Sequence, residues 1–316
     1  MINKIITLRK SVSNASFQPI FEWEDIFKEK LKLQYLYINK PEYLFNKIKG
    51  KLLHNNVLKN CENEKSIAFI IDLPSCKYYE NKDVAPIFCD VWGNQSRELL
   101  SKTYKLDFFF VTSIDIYNLI KEERDNIFYI PLSVSDKWIN KSFPEKSIDV
   151  VQAGRKNPVL HEYMLRFVMK YPMTEYIYQQ YKNKQIHYIS TQRGDIGNFG
   201  TREKFMELLK HSKISLVSSP GADNSRNTFG IDFITPRFFE SAVNYTYMLG
   251  RYTNNEESQF LNISSVCDNV SSYLQFETLI QNYLESNIFL KTKEYDTFIE
   301  NNLTSTRANT INEIII

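Results

Sequence analysis

Short apolar runs rich in β-branched and aromatic residues recur along this chain, each bounded by polar or turn-forming residues. Runs of this length and composition are typical of buried β-strands. They predict seven strands, at residues 66–71 (SIAFII), 106–112 (LDFFFVT), 127–132 (IFYIPL), 148–154 (IDVVQAG), 186–190 (IHYIS), 214–218 (ISLVS) and 246–250 (TYMLG).

Helical periodicity separates several of these runs. It is clearest in residues 158–170 (PVLHEYMLRFVMK) and 202–210 (REKFMELLK), where apolar side chains recur on one helical face. Strands that alternate with helices predict a parallel α/β sheet. Because ligands of such sheets bind beyond the carboxyl ends of the strands, the loops after residues 154, 190 and 218 are the predicted ligand sites.

The length of the chain adds a division into two domains. With 316 residues it suits two domains of about 150 residues each. Segment 131–147 (PLSVSDKWINKSFPEKS) is polar, contains two prolines and separates two α/β stretches, so it is the predicted linker. We predict an N-terminal domain at 1–136 and a regular doubly wound domain at 148–290.

Composition and charge exclude several classes of function. The 39 basic and 37 acidic residues are well mixed and give a net charge of +2, so nucleic acid is not an expected partner. No apolar run reaches the roughly 18 residues of a membrane span, and the first residues lack the apolar core of a signal peptide, which predicts a cytoplasmic protein. The cysteines lack metal-ligand spacing and are predicted to be reduced thiols: Cys61, Cys76, Cys89 and Cys267.

The most informative stretch follows the predicted strand at 214–218. Thr235 is a favoured N-cap and Pro236 a favoured first helical residue, so a helix is predicted to begin there with Arg237 and Glu240 in its first turns. The free N–H groups and dipole of a helix N-terminus attract anions, and Arg237 adds a charge able to grip phosphate. Glu240 could accept the hydroxyl hydrogen bonds of a ribose. In the alternative interpretation, Arg237 and Glu240 form an ordinary ion pair.

An earlier acid gives this stretch a recognisable pattern. Asp232 lies eight residues before Glu240, after a strand and in a glycine-containing loop. In this pattern, and in the continuation FESAVNYTYMLG (239–250), the chain resembles the retaining GT-B glycosyltransferases of bacterial polysaccharide and glycolipid synthesis. The family has a glutamate where this chain has Asp232, and a glycine where it has Tyr245.

The resemblance implies an α/β fold of two Rossmann-like, doubly wound domains that face a central cleft. The first domain would bind the acceptor, and residues 291–316 would return to it. The second would bind a nucleotide-diphosphate sugar, with Glu240 on the donor ribose. The transferred sugar would be contacted by Asp232 and by the backbone of Gly230 and Ile231.

A second resemblance lies at the start of the C-terminal domain. DVVQAGRKNP (149–158) is similar to the family's first strand there, which ends in a Gly-Arg pair. By this resemblance Gly154, Arg155 and Lys156 would bind the donor diphosphate. The alternative is that Arg155 and Lys156 only solvate a loop.

Sugar transfer requires stabilisation of the departing diphosphate, which Arg155, Arg237 and a helix N-terminus can supply electrostatically. We therefore expect no metal and no other cofactor, with Asp232 and Arg237 as the catalytic residues. No histidine is expected to act as a base, so we expect retention of configuration; the four are His54, His161, His187 and His211. If the reaction inverts instead, the candidate bases are Asp90, Glu22 and Glu24.

The expected function is transfer of a sugar from a nucleotide sugar to a glycan or lipid-linked acceptor in bacterial surface polysaccharide synthesis. The transferred sugar is expected to be a hexose. The enzyme would act in the cytoplasm, with peripheral membrane contact as a further option. A catalytically silent GT-B protein that binds a glycan or stabilises a partner transferase stays open as the alternative. A dehydrogenase is not expected, because no G-x-G-x-x-G follows an early strand.

Overall fold

The computed structural model divides into two compact units. The first comprises residues 1–136, 228–231 and 303–316, and the second comprises residues 137–227 and 232–302. The structure describes residues 2–12, 17–41, 65–71, 83–140, 142–182, 185–223, 225–286 and 291–315. His54, Cys61 and Cys76 lie outside the described residues.

The division between the units can be compared with the predicted domains. It falls after Asp136, within the segment 131–147 that the sequence suggests as a linker. At the other end of the chain, residues 291–302 belong to the second unit, and the return to the first unit begins at Leu303. A parallel bridge between Val134 and Leu303 joins this returning segment to the rest of the first unit.

The first unit contains a fully parallel six-stranded sheet. Its strands are β1 (Lys4–Thr7), β2 (Gln34–Tyr37), β3 (Ser66–Ile70), β4 (Val84–Phe88), β5 (Phe109–Val111) and β6 (Ile127–Tyr129). Their spatial order is β2-β1-β3-β4-β5-β6. Every residue of β3, β4 and β5 is buried, as expected for strands that are covered on both faces.

The second unit contains a seven-stranded mixed sheet. Its strands are β7 (Ile148–Gln152), β8 (Tyr176–Lys182), β9 (Gln185–Ser190), β10 (Gly194–Gly197), β11 (Ser212–Ser218), β12 (Tyr247–Arg251) and β13 (Cys267–Asn269). The spatial order is β10-β9-β8-β7-β11-β12-β13. The five strands from β8 to β13 in this order are parallel, whereas β9 and β10 are antiparallel to their neighbours.

The orientation of β9 corrects one expectation. The run at 186–190 does form a strand, but the sequence analysis places it in a parallel sheet. Only residues 183–184 separate β8 from β9, and a connection that short can join only antiparallel strands, since a parallel crossover needs a dozen residues or more.

The helices of the first unit are α1 (Gln18–Lys30), α2 (Ser96–Thr103) and α3 (Ile114–Ile120), with α12 (Thr304–Ile315) at the C-terminal end. Between them in sequence lie α4 (Pro158–Lys170), α5 (Arg202–Lys210), α6 (Ser225–Thr228), α7 (Pro236–Val243), α8 (Glu256–Phe260), α9 (Ile263–Val266), α10 (Tyr273–Glu285) and α11 (Thr292–Asn301). The predicted bounds of α4 and α5 and the predicted start of α7 are confirmed.

The caps explain where these helices begin. Asn157 Oδ1 accepts a hydrogen bond from the N–H of Leu160 at 3.0 Å at the start of α4. Thr201 Oγ1 accepts one from the N–H of Lys204 at 3.3 Å at the start of α5. Thr235 is the N-cap of α7 as predicted, but its hydroxyl makes no capping bond and donates instead to a carbonyl of β11 at 3.4 Å.

Helices cover both faces of the second sheet. Ile214 and Leu216 of β11 belong to the core cluster that includes residues of α4 and α10. Ser215, between them, points the other way and accepts a hydrogen bond from Ser241 of α7 at 3.0 Å. Helices α5 and α7 pack side by side on that second face.

The C-terminal ends of α5 and α7 meet at one lysine. The Lys146 ammonium donates to the carbonyl oxygens of Lys210 and Asn244 at 2.9 and 2.7 Å, and to the hydroxyl of Thr246 at 3.2 Å. Burial lowers the pKa of Lys146 to about 7. This contact fixes the two helix ends at the edge of the sheet opposite to the predicted ligand sites.

Two further expectations can be compared with the described part of the chain. Cys89 and Cys267 are buried free thiols, as predicted. Among the described residues, no helix combines the length and the apolar character that crossing a membrane requires.

Candidate functional site

The loop after β7 makes close contact with the start of α7. Gly154 has a φ of +88°, a backbone conformation that favours glycine. A Cβ at this position would lie 2.8 Å from Nε of Arg237, so the absent side chain leaves the space that the guanidinium occupies. The structure therefore brings together two residues that the sequence analysis assigns to the donor diphosphate.

Arg237 in turn contacts Glu240 and an aromatic ring. Its Nη1 donates to Oε2 of Glu240, one turn further along α7. Its guanidinium carbon lies 4.6 Å from the centroid of the Phe205 ring of α5. The Arg237 side chain remains 32% exposed, whereas that of Glu240 is 1% exposed. The ion pair that the sequence left as an alternative is thus present, and Glu240 is not presented to solvent.

A second arginine completes this cluster. Arg202, the first residue of α5, forms an ion pair with Glu240, in which Nη1 lies 2.5 Å from Oε1. The Arg202 side chain is 7% exposed. Burial raises the pKa of Glu240, but the charges of Arg202 and Arg237 lower it further, so its pKa lies below the ordinary value. Glu240 is therefore an ionised carboxylate between two arginines.

Arg202 could not be recognised as a site residue from the sequence. A basic residue in an amphipathic helix usually faces solvent, and nothing in the run REKFMELLK distinguishes Arg202 from Lys204. The only available signal was the position of Arg202 immediately after the N-cap, at an end of the helix close to the ligand edge.

Asp232 is held by its own loop. Its carboxylate accepts hydrogen bonds from Ser219 Oγ at 2.6 Å, from the N–H of Gly221 at 2.7 Å and from the N–H of Phe233 at 3.1 Å. A Cβ on Gly221 would lie 2.8 Å from the Asp232 side chain, so this glycine allows the close approach. Asp232 is 6% exposed, and with these partners it organises the turn after β11. Its contact with the transferred sugar stays a prediction.

Gly230 and Ile231 belong to the first unit and not to the cluster of the second unit. Gly230 has a φ of +80°, and Ile231 is buried. Within the first unit this segment lies against Gly93, because a Cβ there would be 2.5 Å from the carbonyl oxygen of Phe229. These two predicted sugar contacts therefore belong to a different compact unit from Gly154, Arg237 and Glu240.

Arg155 and Lys156, on the same loop as Gly154, lie in different surroundings. Arg155 is exposed. The Lys156 ammonium lies 4.7 Å from the centroid of the Tyr178 ring and 3.5 Å from Nε2 of His161. Burial lowers the pKa of Lys156. Lys156 is thus held by neighbouring rings, in addition to any role with a ligand.

His161 links Lys156 to the end of β7. Its Nδ1 lies 2.9 Å from the hydroxyl of Tyr176, and that hydroxyl donates to Oε1 of Gln152 at 2.8 Å. Since the tyrosine proton is used, Nδ1 of His161 carries the donor proton and Nε2 faces Lys156 as an acceptor. Burial, with the Lys156 charge as the second cause, lowers the pKa of His161 to about 4. The imidazole is therefore half-buried and neutral near pH 7.

Three loops at the same edge are joined by hydrogen bonds to one carboxylate. Asp223, in the loop after β11, accepts two hydrogen bonds from Arg251 at the end of β12, at 2.7 and 2.6 Å. It also accepts one from the amide of Asn157, the N-cap of α4, at 2.6 Å. These hydrogen bonds hold the three loops together at the carboxyl edge of the second sheet.

The acids proposed as alternative bases lie in the first unit. Asp90 is exposed with a φ of +55°, and Glu22 is buried. Glu24 accepts hydrogen bonds from Thr7 Oγ1 at 2.6 Å and Arg9 Nε at 3.1 Å. Burial raises the pKa of Glu24 to about 7 despite these partners. Of the three, only Asp90 is open to solvent.

Comparison with known proteins identifies the fold. Neither a protein-family model nor a curated protein sequence matches the chain. Among solved structures, T4 phage β-glucosyltransferase in complex with its UDP-glucose substrate is similar, with a TM-score of 0.53, 12% identity and coverage of 100% of this chain and 99% of that one. Staphylococcus aureus TarM, in complex with fondaparinux, α-GlcNAc-glycerol and UDP, gives a TM-score of 0.54 and 12% identity. That match covers 79% of this chain, which spans 55% of the length of TarM.

The protein therefore has the GT-B fold, with two Rossmann-like domains, as the sequence predicts. The resemblance to GT-B glycosyltransferases is confirmed for the fold. At 12% identity such likeness identifies architecture, and function has to be argued from the residues of the site.

Proposed function

We propose that the protein is a glycosyltransferase that binds a nucleotide-diphosphate sugar at the carboxyl edge of the second sheet. One observation carries the proposal: Arg237, at the start of α7, lies against the side-chain-free face of Gly154 and contacts Glu240. A glycine that leaves room for an arginine at a helix N-terminus is suited to a diphosphate. The fold supports the proposal, because the T4 phage enzyme and TarM share it.

In this proposal the donor diphosphate binds at the N-terminus of α7. Arg237 is the main cation because it is partly exposed and already placed, and exposed Arg155 adds a second charge. Glu240 accepts hydrogen bonds from the ribose once Arg237 has turned to the phosphate. The cations and the free N–H groups of α7 stabilise the leaving diphosphate, so the proposed reaction requires no metal.

Asp232 acts on the sugar through its loop. Its hydrogen bonds to Ser219, Gly221 and Phe233 fix the backbone after β11. Asp232→Asn should therefore slow transfer more than it weakens nucleotide binding, since a rigid loop matters most when the transition state must be positioned.

The remaining parts of the proposal concern stereochemistry and setting. We propose retention of configuration, with a glycan or lipid-linked acceptor bound by the first unit. Surface polysaccharide synthesis in the bacterial cytoplasm, with peripheral membrane contact, is the proposed role. Retention would require no acceptor base from the first unit, where Glu24 is buried and engaged by Thr7 and Arg9.

The test uses the purified chain and a panel of nucleotide sugars. A donor at 100 times its Kd should add about 2.7 kcal/mol of stability, which thermal unfolding detects. The donor so identified should then be hydrolysed slowly, and transferred once an acceptor is supplied. Binding without any release of nucleoside diphosphate would favour a catalytically silent GT-B protein. Proton NMR of the product linkage would refute retention if it showed the inverted anomer.

A further inference from the structure

Glu240 has two arginine partners that differ in exposure. Arg237 is 32% exposed, whereas Arg202 is 7% exposed. The Arg202 guanidinium carbon also lies 5.5 Å from the centroid of the Phe205 ring and 5.9 Å from that of Trp138. A ligand can therefore draw Arg237 away from Glu240 far more easily than it can draw Arg202.

We infer that Arg202 is a positioning residue that keeps Glu240 compensated while Arg237 exchanges this carboxylate for the donor diphosphate. The inference rests on the proposed function, and it adds a residue and a partner exchange to it. In the free protein both arginines contact Glu240. In the donor complex Arg237 binds phosphate, Arg202 stays on Oε1, and Oε2 becomes the acceptor for ribose hydroxyl groups.

The cost of a buried charge makes Arg202 necessary. A carboxylate that is 1% exposed cannot stay ionised without a partner, because burial strongly favours its neutral form. If Arg202 were absent, the phosphate could take Arg237 only if Glu240 first gained a proton. Diphosphate binding would then be coupled to proton uptake.

The other groups around Glu240 cannot replace Arg202. Arg202 and Arg237 approach from α5 and α7, and Tyr188 approaches from β9. Burial raises the pKa of Tyr188 to about 12, so this phenol is neutral near pH 7. Phe205 and Trp138 carry no charge. Among the described residues that bear on Glu240, the two arginines are the groups that set its protonation.

The experiment measures proton uptake on nucleotide binding by calorimetry in two buffers of different ionisation enthalpy. The probe is whichever of UDP, GDP, CDP, ADP and dTDP the wild-type chain binds most tightly. Arg202→Met should take up about one more proton per nucleotide than the wild type, so that its affinity falls up to about tenfold per pH unit above neutrality relative to wild type. Ionisation of the phosphate itself is common to both proteins and cancels in the difference.

Matched variants test whether Arg202 compensates the charge of Glu240 or only supports the local structure. Arg237→Met removes the same charge from the other side of Glu240 and should weaken binding without extra proton uptake, since Arg202 remains. Arg202→Lys keeps a charge and should behave like the wild type in proton uptake. The double variant Arg202→Met with Glu240→Gln has no carboxylate to protonate and should lose the effect. If Arg202→Met does not fold, Arg202→Gln carries the same expectation.

The outcomes distinguish this inference from the function on which it rests. Nucleotide binding by the wild type, with equal proton uptake by wild type and Arg202→Met, would overturn the role of Arg202 and leave the donor site standing. No binding of any of the five nucleotides by the folded wild type would overturn both.

Discussion

The two ends of the α5 and α7 helix pair hold charge in different ways. At the N-terminal end, the Glu240 carboxylate lies between the guanidinium groups of Arg202 and Arg237. At the C-terminal end, the Lys146 ammonium donates hydrogen bonds to two carbonyl oxygens and one hydroxyl oxygen. At one end a carboxylate is paired with cations, whereas at the other an ammonium is held by the dipoles of carbonyl and hydroxyl groups.

This difference appears in the pKa values and bears on function. Burial lowers the pKa of Lys146 to about 7, whereas the arginines overcome burial and hold the pKa of Glu240 below its ordinary value. A charge held by several weak dipoles gains nothing by exchanging one of them. A charge held by two cations, one of them partly exposed, can exchange a partner for a ligand. The N-terminal end is therefore the better suited of the two to exchange a partner for a ligand.

The largest expected effect is loss of the carboxylate between the arginines. Glu240→Ala should destabilise the fold by about 3–5 kcal/mol, because it leaves the buried Arg202 without its partner. Urea unfolding followed by circular dichroism measures the change.

An isosteric control tests whether charge is the cause. Glu240→Gln keeps the shape and an acceptor oxygen, so it should lose less stability than Glu240→Ala. A loss below about 1 kcal/mol for Glu240→Ala would place this cluster with ordinary exposed ion pairs and contradict the comparison between the two helix ends.

The next effect concerns the opposite end. Lys146→Met should destabilise the fold by about 1–3 kcal/mol, since it removes a donor from two helix-end carbonyl groups and one hydroxyl. Nucleotide affinity of the folded variant should stay within about twofold of wild type. Denaturant unfolding and calorimetry measure the two quantities, with Lys213→Met as the control because Lys213 lies 3.8 Å from Asp149 in a weaker contact.

The same lysine predicts a pH dependence. Its pKa falls from 10.5 in the unfolded chain to about 7 in the fold, so the unfolded chain binds more protons between these values. The stability of the wild type should therefore gain a component that rises from pH 7 towards pH 10.5, and Lys146→Met should lack it. An identical slope in both proteins would show that the ammonium is not desolvated.

At the N-terminal end of the α5 and α7 pair, substitutions should affect nucleotide binding more than stability. Arg237→Met should cost about 1.5–3 kcal/mol in nucleoside diphosphate affinity and leave affinity for the nucleoside alone unchanged. Gly154→Ala should act in the same direction, because its Cβ would meet Nε of Arg237 at 2.8 Å. Arg155→Met provides the comparison for an exposed cation on the same loop. Equal losses for nucleoside and diphosphate would place Arg237 away from the phosphates.

The sequence predicts much of the second unit because its signals are local there. Helices α4 and α5 have side-chain caps, and the runs that form β7, β11 and β12 are apolar and short. Strands β4 and β8 were missed for identifiable reasons. VAPIF contains a proline, which usually marks an edge or a turn, and YIYQQYK is polar over its second half.

The site was predicted less well because its partners are distant in sequence. Arg237 and Glu240 are three residues apart, and their pairing could be foreseen as one of two alternatives. Arg202 meets Glu240 across 38 positions through the packing of α5 on α7, which no local pattern encodes. His161 could not be singled out from the sequence, since its contacts depend on Tyr176 and Lys156 reaching it from a strand and a loop.

The smallest expected effect is the acid dependence of stability that His161, a neighbour of Lys156, confers. Its pKa is lowered from 6.5 to about 4, so the unfolded chain gains a proton in this window while the fold does not. The stability that comes from keeping this imidazole neutral is present above pH 6.5 and is lost as the pH falls towards 4. Since the ring is only half-buried, the loss should stay below about 1 kcal/mol.

Two variants test this acid dependence. His161→Gln should flatten the fall in stability between pH 6.5 and 4. Lys156→Met should flatten it less, because burial is the larger cause of the lowered pKa and the Lys156 charge the smaller. Unfolding at several pH values measures these slopes. A steeper fall in His161→Gln than in the wild type would show that the ring is charged in the fold, and that Lys156 does not donate to it.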